Sequence, residues 1–107
     1  MTEQTQLNAW LKLQLEDAKA KDILMLDVKD KTSITDTMVI CTGTSNRHVK
    51  SIASKLVEHA KAKGLMPVGV EGEQSAEWVL VDLGDAIIHV MQQEARDFYQ
   101  LEELWTK

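Results

Sequence analysis

The turn Gly43-Thr44-Ser45 stands between an apolar run and a helical pattern, and it is the best catalytic candidate in the chain. Backbone amides at a helix start lack intrahelical acceptors and can hold a phosphate. Chemistry on a triphosphate also needs carboxylates that converge on a divalent metal. Their usual source is an Asp-x-Asp on a strand, where alternate residues share a face. This chain has no Asp-x-Asp: Asp82 and Asp85 flank a turn instead, and no phosphate-binding lysine motif is present. The histidines do not make a metal site. His48 and His59 share a helix face, but eleven residues of helix separate them by ~16 Å, too far for one ion. His89 has no local ligand partner. Cys41 lies in an apolar strand with no His or Asp at a motif spacing, so it reads as an inert core residue and not a nucleophile. No catalytic residue, metal or cofactor is predicted.

A binding function has more support. Of the five Phe, Tyr and Trp residues, Trp78, Phe98, Tyr99 and Trp105 fall in the last third of the chain. The runs Trp78 to Asp82 and Asp85 to Met91 are rich in Val and Ile and read as a hairpin about Leu83-Gly84, with Gly84 free to take a positive φ. That register sets Asp82 opposite Asp85, Leu80 opposite Ile87 and Trp78 opposite His89. Val79, Val81, Ala86, Ile88 and Val90 then form an apolar face that belongs in the core. Trp78, Leu80, Asp82, Asp85, Ile87, His89 and Met91 form a mixed face. It suits either a surface that another protein covers or a second core layer under a helix. For a basic partner, Asp82, Asp85 and Glu102 supply the charge.

The elements that position these residues follow from periodicity. Residues from about Glu3 to Lys21 have helical spacing, with Leu7, Trp10 or Leu11, Leu15 and Ala18 on one side. Asp22 to Val28 reads as a strand, and Thr37 to Thr42 as a strand buried on both faces. A helix from about Asn46 to Lys63 is capped by Ser45 or Thr44 and stopped at Gly64. Met66 to Glu71 is the next strand, reached by a right-handed crossover. The hairpin follows, and a helix or two short ones run from about Gln92 to Trp105. The order α-β-β-α-β-β-β-α predicts an α/β (α+β) domain: a single mixed five-stranded sheet with flanking helices over residues 1–107.

Composition bounds the function. The 107 residues are 44% apolar and 27% charged, as in a single soluble domain. The net charge of −5 predicts little direct nucleic-acid binding and is compatible with a basic protein partner. One cysteine excludes an internal disulfide and fits a reducing, cytoplasmic setting. No signal peptide and no membrane-spanning run are expected.

Three blocks, TMVICTGTSNRHVKSIASKL, GVEGEQSAEWVLVDLGDAIIHVM and RDFYQLEELW, resemble the ribosomal silencing factor family, also called the Iojap family. They fall in family order and at family spacing, from about Leu7 to Trp105. The resemblance implies a nucleotidyltransferase-like fold without known enzymatic activity. It implies binding to the large ribosomal subunit through its ribosomal protein fourteen, on the face where the small subunit docks. Joining is then blocked sterically, and translation falls when nutrients run short. Organelle relatives are linked to maturation of the large subunit, so an assembly factor is the alternative, and a nucleotidyltransferase-like enzyme a remoter one. The family pattern carries over to Trp78, Asp82, Gly84, Asp85, His89, Arg96, Phe98, Tyr99, Leu101, Glu102 and Trp105. With Leu80 and Met91 from the mixed face, all of these except Trp105 make the expected partner-binding set. Thr35-Asp36-Thr37-Met38 departs from the more usual Ala-Asp-Tyr-Phe and keeps only the Asp. Relatives are often paired, so a homodimer through an exposed edge, with Met38 or Met66 near it, is a further expectation.

Overall fold

The computed structural model describes residues 3–106. Its elements are α1 (Glu3–Asp17), β1 (Lys21–Asp27), β2 (Thr37–Gly43), α2 (Asn46–Ala62), β3 (Gly69–Glu71), β4 (Trp78–Asp82), β5 (Ala86–Gln92), α3 (Gln93–Tyr99) and α4 (Leu101–Thr106). The strands form one five-stranded sheet in the order β1-β2-β5-β4-β3. β2 and β5 pair in parallel and every other neighbour is antiparallel, so the sheet is mixed, as the sequence predicts. Every residue of β2 is buried, and all of β5 except Gln92. Both strands have a neighbour on each side and cover on both faces, which is why they read as continuous apolar runs.

The hairpin of β4 and β5 has the predicted faces but not the predicted register. Trp78 stands opposite Met91, Leu80 opposite His89 and Asp82 opposite Ile87. The shift is two residues, so every side chain keeps its face. The turn is Gly84-Asp85, not Leu83-Gly84. The Leu83 N–H donates to the Ala86 carbonyl at 2.9 Å, and Gly84 takes φ +86° at the first central position, as a type II′ turn requires. The Asp82 carboxylate accepts the Gly84 N–H at 2.8 Å and fixes this choice.

One sheet face is closed by α1 and α2. Val39, Cys41, Val79, Val81, Ala86, Ile88 and Val90 meet Leu11 and Leu15 of α1 and Val49, Ile52, Ala53 and Leu56 of α2. Ser45, not Thr44, caps α2: its hydroxyl accepts the His48 N–H at 3.1 Å. The helix ends in a Schellman motif, with Gly64 at φ +91°, its N–H on Lys61 and the Leu65 N–H on Ala60. The two helical histidines join the helices. His48 Nδ1 accepts the Thr44 N–H at 2.9 Å, so its protonated Nε2 donates to the Ala18 carbonyl, also at 2.9 Å. His59 bonds to the Gln14 side chain.

Two boundaries and one placement differ from expectation. α1 stops at Asp17 and not near Lys21, because Lys19 enters the left-handed region at φ 66° and the Ala20 N–H folds back to the Leu15 carbonyl. No glycine marks that stop. β3 starts at Gly69 and not Met66, since Pro67 offers no N–H to a ladder. Met38, expected near an edge, is 5% exposed inside the sheet, whereas Met66 is 67% exposed.

Gly43 seats the start of α2 on the sheet. A Cβ there would stand 2.7 Å from Val49 Cγ2 and 3.0 Å from the Val49 nitrogen. Gly43→Ala is therefore expected to destabilise the domain by about 1–3 kcal/mol through overpacking. Ser45→Ala removes only the cap, at about 1 kcal/mol. Urea denaturation of both variants checks the order.

Candidate partner-binding face

The second face of the sheet presents rows that cross four strands. One row reads Leu24, Ile40, His89 and Leu80; the next reads Leu26, Met38, Ile87 and Asp82. The two C-terminal helices close only part of it. Leu101 and Trp105 of α4, with Ala95 of α3, pack on Val28, Met38, Ile40 and Met91. Towards β4 the cover ends, and Trp78, Leu80 and Asp82 stay half-buried. Tyr99 and Phe98 stand beside this open strip, 54% and 79% exposed. The mixed face is thus a second core layer over β1 and β2 and an open surface over β4.

The helices are held in place by Arg96. Its Nε donates to Glu102 Oε2 at 2.8 Å, and its Nη1 donates to the Asp22 carbonyl at 2.7 Å and to Thr42 Oγ1 at 2.8 Å. Between the helices Gln100 takes the left-handed conformation, φ 47° and ψ 47°. The Arg96–Glu102 pair spans that bend, and Lys31 Nζ donates to the Trp105 carbonyl near the end of α4. Both members of the pair, expected at a partner surface, are engaged within the molecule. Helices of seven and six residues do not persist alone, so these anchors and the apolar contacts of Leu101 and Trp105 define them.

Four rings run outward from the sheet. The Trp78 indole N–H donates to His89 Nδ1 at 2.9 Å. The Trp78 ring lies 4.9 Å from Tyr99, and Phe98 meets Tyr99 edge-on at 5.0 Å. Because Nδ1 accepts, the neutral His89 ring carries its proton on Nε2. That atom is buried without a hydrogen-bond partner among the described residues, as is Trp105 Nε1. His89 is 5% exposed and Met91 fully buried, so neither lies on the surface where the sequence places it.

The remaining expected residues divide by place. Leu80 and Asp82 line the open strip, Gly84 shapes the turn, and Asp85 is exposed beyond it. Leu101 faces the second core layer. Sequence reasoning missed Glu77 and Glu94, exposed carboxylates that flank a shallow cleft beside Phe98 and Tyr99. They precede β4 and begin α3, and only the fold brings them to one rim. At the Gly43 turn the Thr44 N–H meets His48, and the Ser45 side chain and carbonyl take the N–H groups of His48 and Val49. Among the described residues no three His, Cys, Asp or Glu side chains are grouped to hold a metal ion. Burial pushes the Cys41 thiol up to about 12, which keeps it protonated and unreactive.

Burial also lowers the His89 pKa to about 4, from a usual value near 6.5. The unfolded chain then binds a proton in a range where the folded chain does not. The stabilisation is full above pH 6.5 and is lost as pH falls towards 4, by up to about 3 kcal/mol. The measurement is unfolding free energy against pH for the protein and for His89→Asn, where the wild-type curve is expected to fall more steeply between pH 6.5 and 5.

Comparison with known proteins places this arrangement in a family. A family profile described as "Ribosomal silencing factor during starvation" matches residues 2–107. The ribosomal silencing factor RsfS of Haemophilus influenzae is 50% identical over 91 residues, covering 85% of this chain and 89% of that protein. The mouse protein named "Mitochondrial assembly of ribosomal large subunit protein 1" is 38% identical over 95 residues, 86% of this chain and 42% of its own length. The crystal structure of a Chromobacterium violaceum protein superposes with a TM-score of 0.93 at 43% identity, over 97% of this chain and 87% of that one. The chain belongs to the ribosomal silencing factor family.

Proposed function

We propose that this protein binds the large ribosomal subunit through its ribosomal protein fourteen and blocks joining of the small subunit by occupying the joining face. Translation is thereby repressed when nutrients are limiting. The observation that carries the reading is the open strip of the second sheet face. There half-buried Trp78 and Leu80 lie beside exposed Tyr99 and Phe98, rimmed by Asp82, Glu77 and Glu94. Exposed aromatics concentrated at one place suit the anchors of an interface, and a carboxylate rim suits a basic partner. The action is steric and needs no reaction. A homodimer is a second state compatible with this reading, with exposed Met66 beside the β3 edge.

A second reading has support in the name of the mouse relative, which concerns assembly of the large subunit. It uses the same contact at an earlier time. Gradients of lysates from growing and starved cells separate the two. Silencing predicts tagged protein on mature free large subunits, increasing on starvation and absent from joined ribosomes. Assembly predicts it on immature particles during growth. Equal amounts on small subunits or polysomes would contradict both.

Trp78→Ala tests the face. Its ring is half-buried, so the variant should fold, with a loss below the about 3–5 kcal/mol of a fully buried tryptophan. Large-subunit affinity should fall by about 2 kcal/mol or more. Asp82→Asn preserves an acceptor for the Gly84 N–H and removes the charge. It should weaken binding most at low salt. Sedimentation or surface binding with purified subunits measures both. Wild-type affinity in both variants would displace the site from this face.

A further inference from the structure

Trp78 is half-buried at an open face, and its polar atom is turned inward. The ring is held at its N–H by His89 Nδ1 at 2.9 Å and along its side by Tyr99, 4.9 Å between centroids. His89 comes from β5 and Tyr99 from α3, so three elements meet at one indole. His89 itself is 5% exposed, and its strand lies between β2 and β4. It is a rigid base, unable to follow Trp78 if the indole rotates. The neutral ring is required for this contact, because a protonated imidazole offers two donors and no acceptor. That choice leaves Nε2 protonated, buried and unpaired, at a cost that a nonpolar residue at the position would avoid. Packing alone therefore gives no reason for a histidine here. Its acceptor atom does.

We propose that His89 is a positioning residue for partner binding: it holds Trp78 in one orientation before the partner arrives, so that docking orders no side chain at the centre of the face. The inference rests on the proposed function, since it assumes that Trp78 meets the partner. An anchor fixed in advance escapes the ordering cost of an immobilised side chain, and that cost corresponds to about two- to tenfold in affinity.

The test uses the full chain and purified large subunits. In the wild-type protein, the Trp78 indole N–H, assigned by its disappearance in Trp78→Phe, should give a single resonance that exchanges slowly with solvent. His89→Leu removes the acceptor and retains an apolar side chain of similar bulk. It should speed that exchange and weaken subunit binding by about three- to tenfold. His89→Asn retains an acceptor near the Nδ1 position and should restore both readouts to within about twofold. Slow exchange in His89→Leu, or equal binding by the Leu and Asn variants, would overturn the proposal. So would fast indole exchange in the wild-type protein, a result that does not depend on whether either His89 variant folds. If Trp78→Ala binds normally, the functional reading fails. If Trp78→Ala loses binding while folded His89→Leu retains it, only the positioning role fails.

Discussion

The parallel pairing of β2 with β5 is the constraint on which the rest of the structure depends. Seven residue pairs, from Thr37–Ala86 to Gly43–Gln92, join segments far apart in the chain. Two strands so placed have neighbours on both sides, and their side chains point to both faces. Neither face can be left to water along its whole length. The first is closed by α1 and α2, formed early in the sequence, and the second is met by α3 and α4, which follow β5. Both of these helices are short. They reach over β1, β2 and the end of β5, and they do not reach across β4. The open strip is thus a consequence of topology: the helices that follow β5 cover one part of this face and leave the part over β4 open.

The shortness of α3 and α4 explains the polar contacts around the strip. Short helices need anchors, and Arg96 provides them by joining Glu102, the Asp22 carbonyl and Thr42 in one cluster. A guanidinium suits that task because its donors point in several fixed directions. Asp82 has a comparable double position: one carboxylate oxygen closes the hairpin turn, while the side chain as a whole stays half-exposed on the candidate face. Several residues that a family pattern would assign to a partner are therefore first of all what shapes the face. Binding and folding variants must be separated by measuring both.

Much of this fold was legible because the strongest signals were physical. The continuous apolar runs of β2 and β5 marked the sheet centre, the stripe Val49 to Ala60 marked α2, and Gly64 marked its end. What escaped notice was decided by contacts between distant residues. The hairpin register turned on one Asp82–Gly84 hydrogen bond, and alternation could not detect the error because a two-residue shift preserves both faces. The stop of α1 rested on Lys19 in a conformation that its type does not advertise. The bonds of His48 to Ala18 and of His59 to Gln14 were not legible, since nothing local says that α1 will lie beside α2. For the candidate site, sequence grouped Trp78, Tyr99 and Phe98 correctly in the chain's last third. It could not tell that Met91 and His89 lie beneath the surface, or that Glu77 and Glu94 share its rim.

The central claim is that the open strip beside β4 is the surface that meets the large subunit. Site-specific photocrosslinking tests it most directly. A photoreactive amino acid placed at Leu80 or at Phe98, in protein bound to purified large subunits, is predicted to capture ribosomal protein fourteen. The same group at Lys50 or Glu58, on α2 across the sheet, is predicted to capture no ribosomal protein. Crosslinks from α2 and none from Leu80 or Phe98 would contradict the account and move the interface to the opposite side of the molecule.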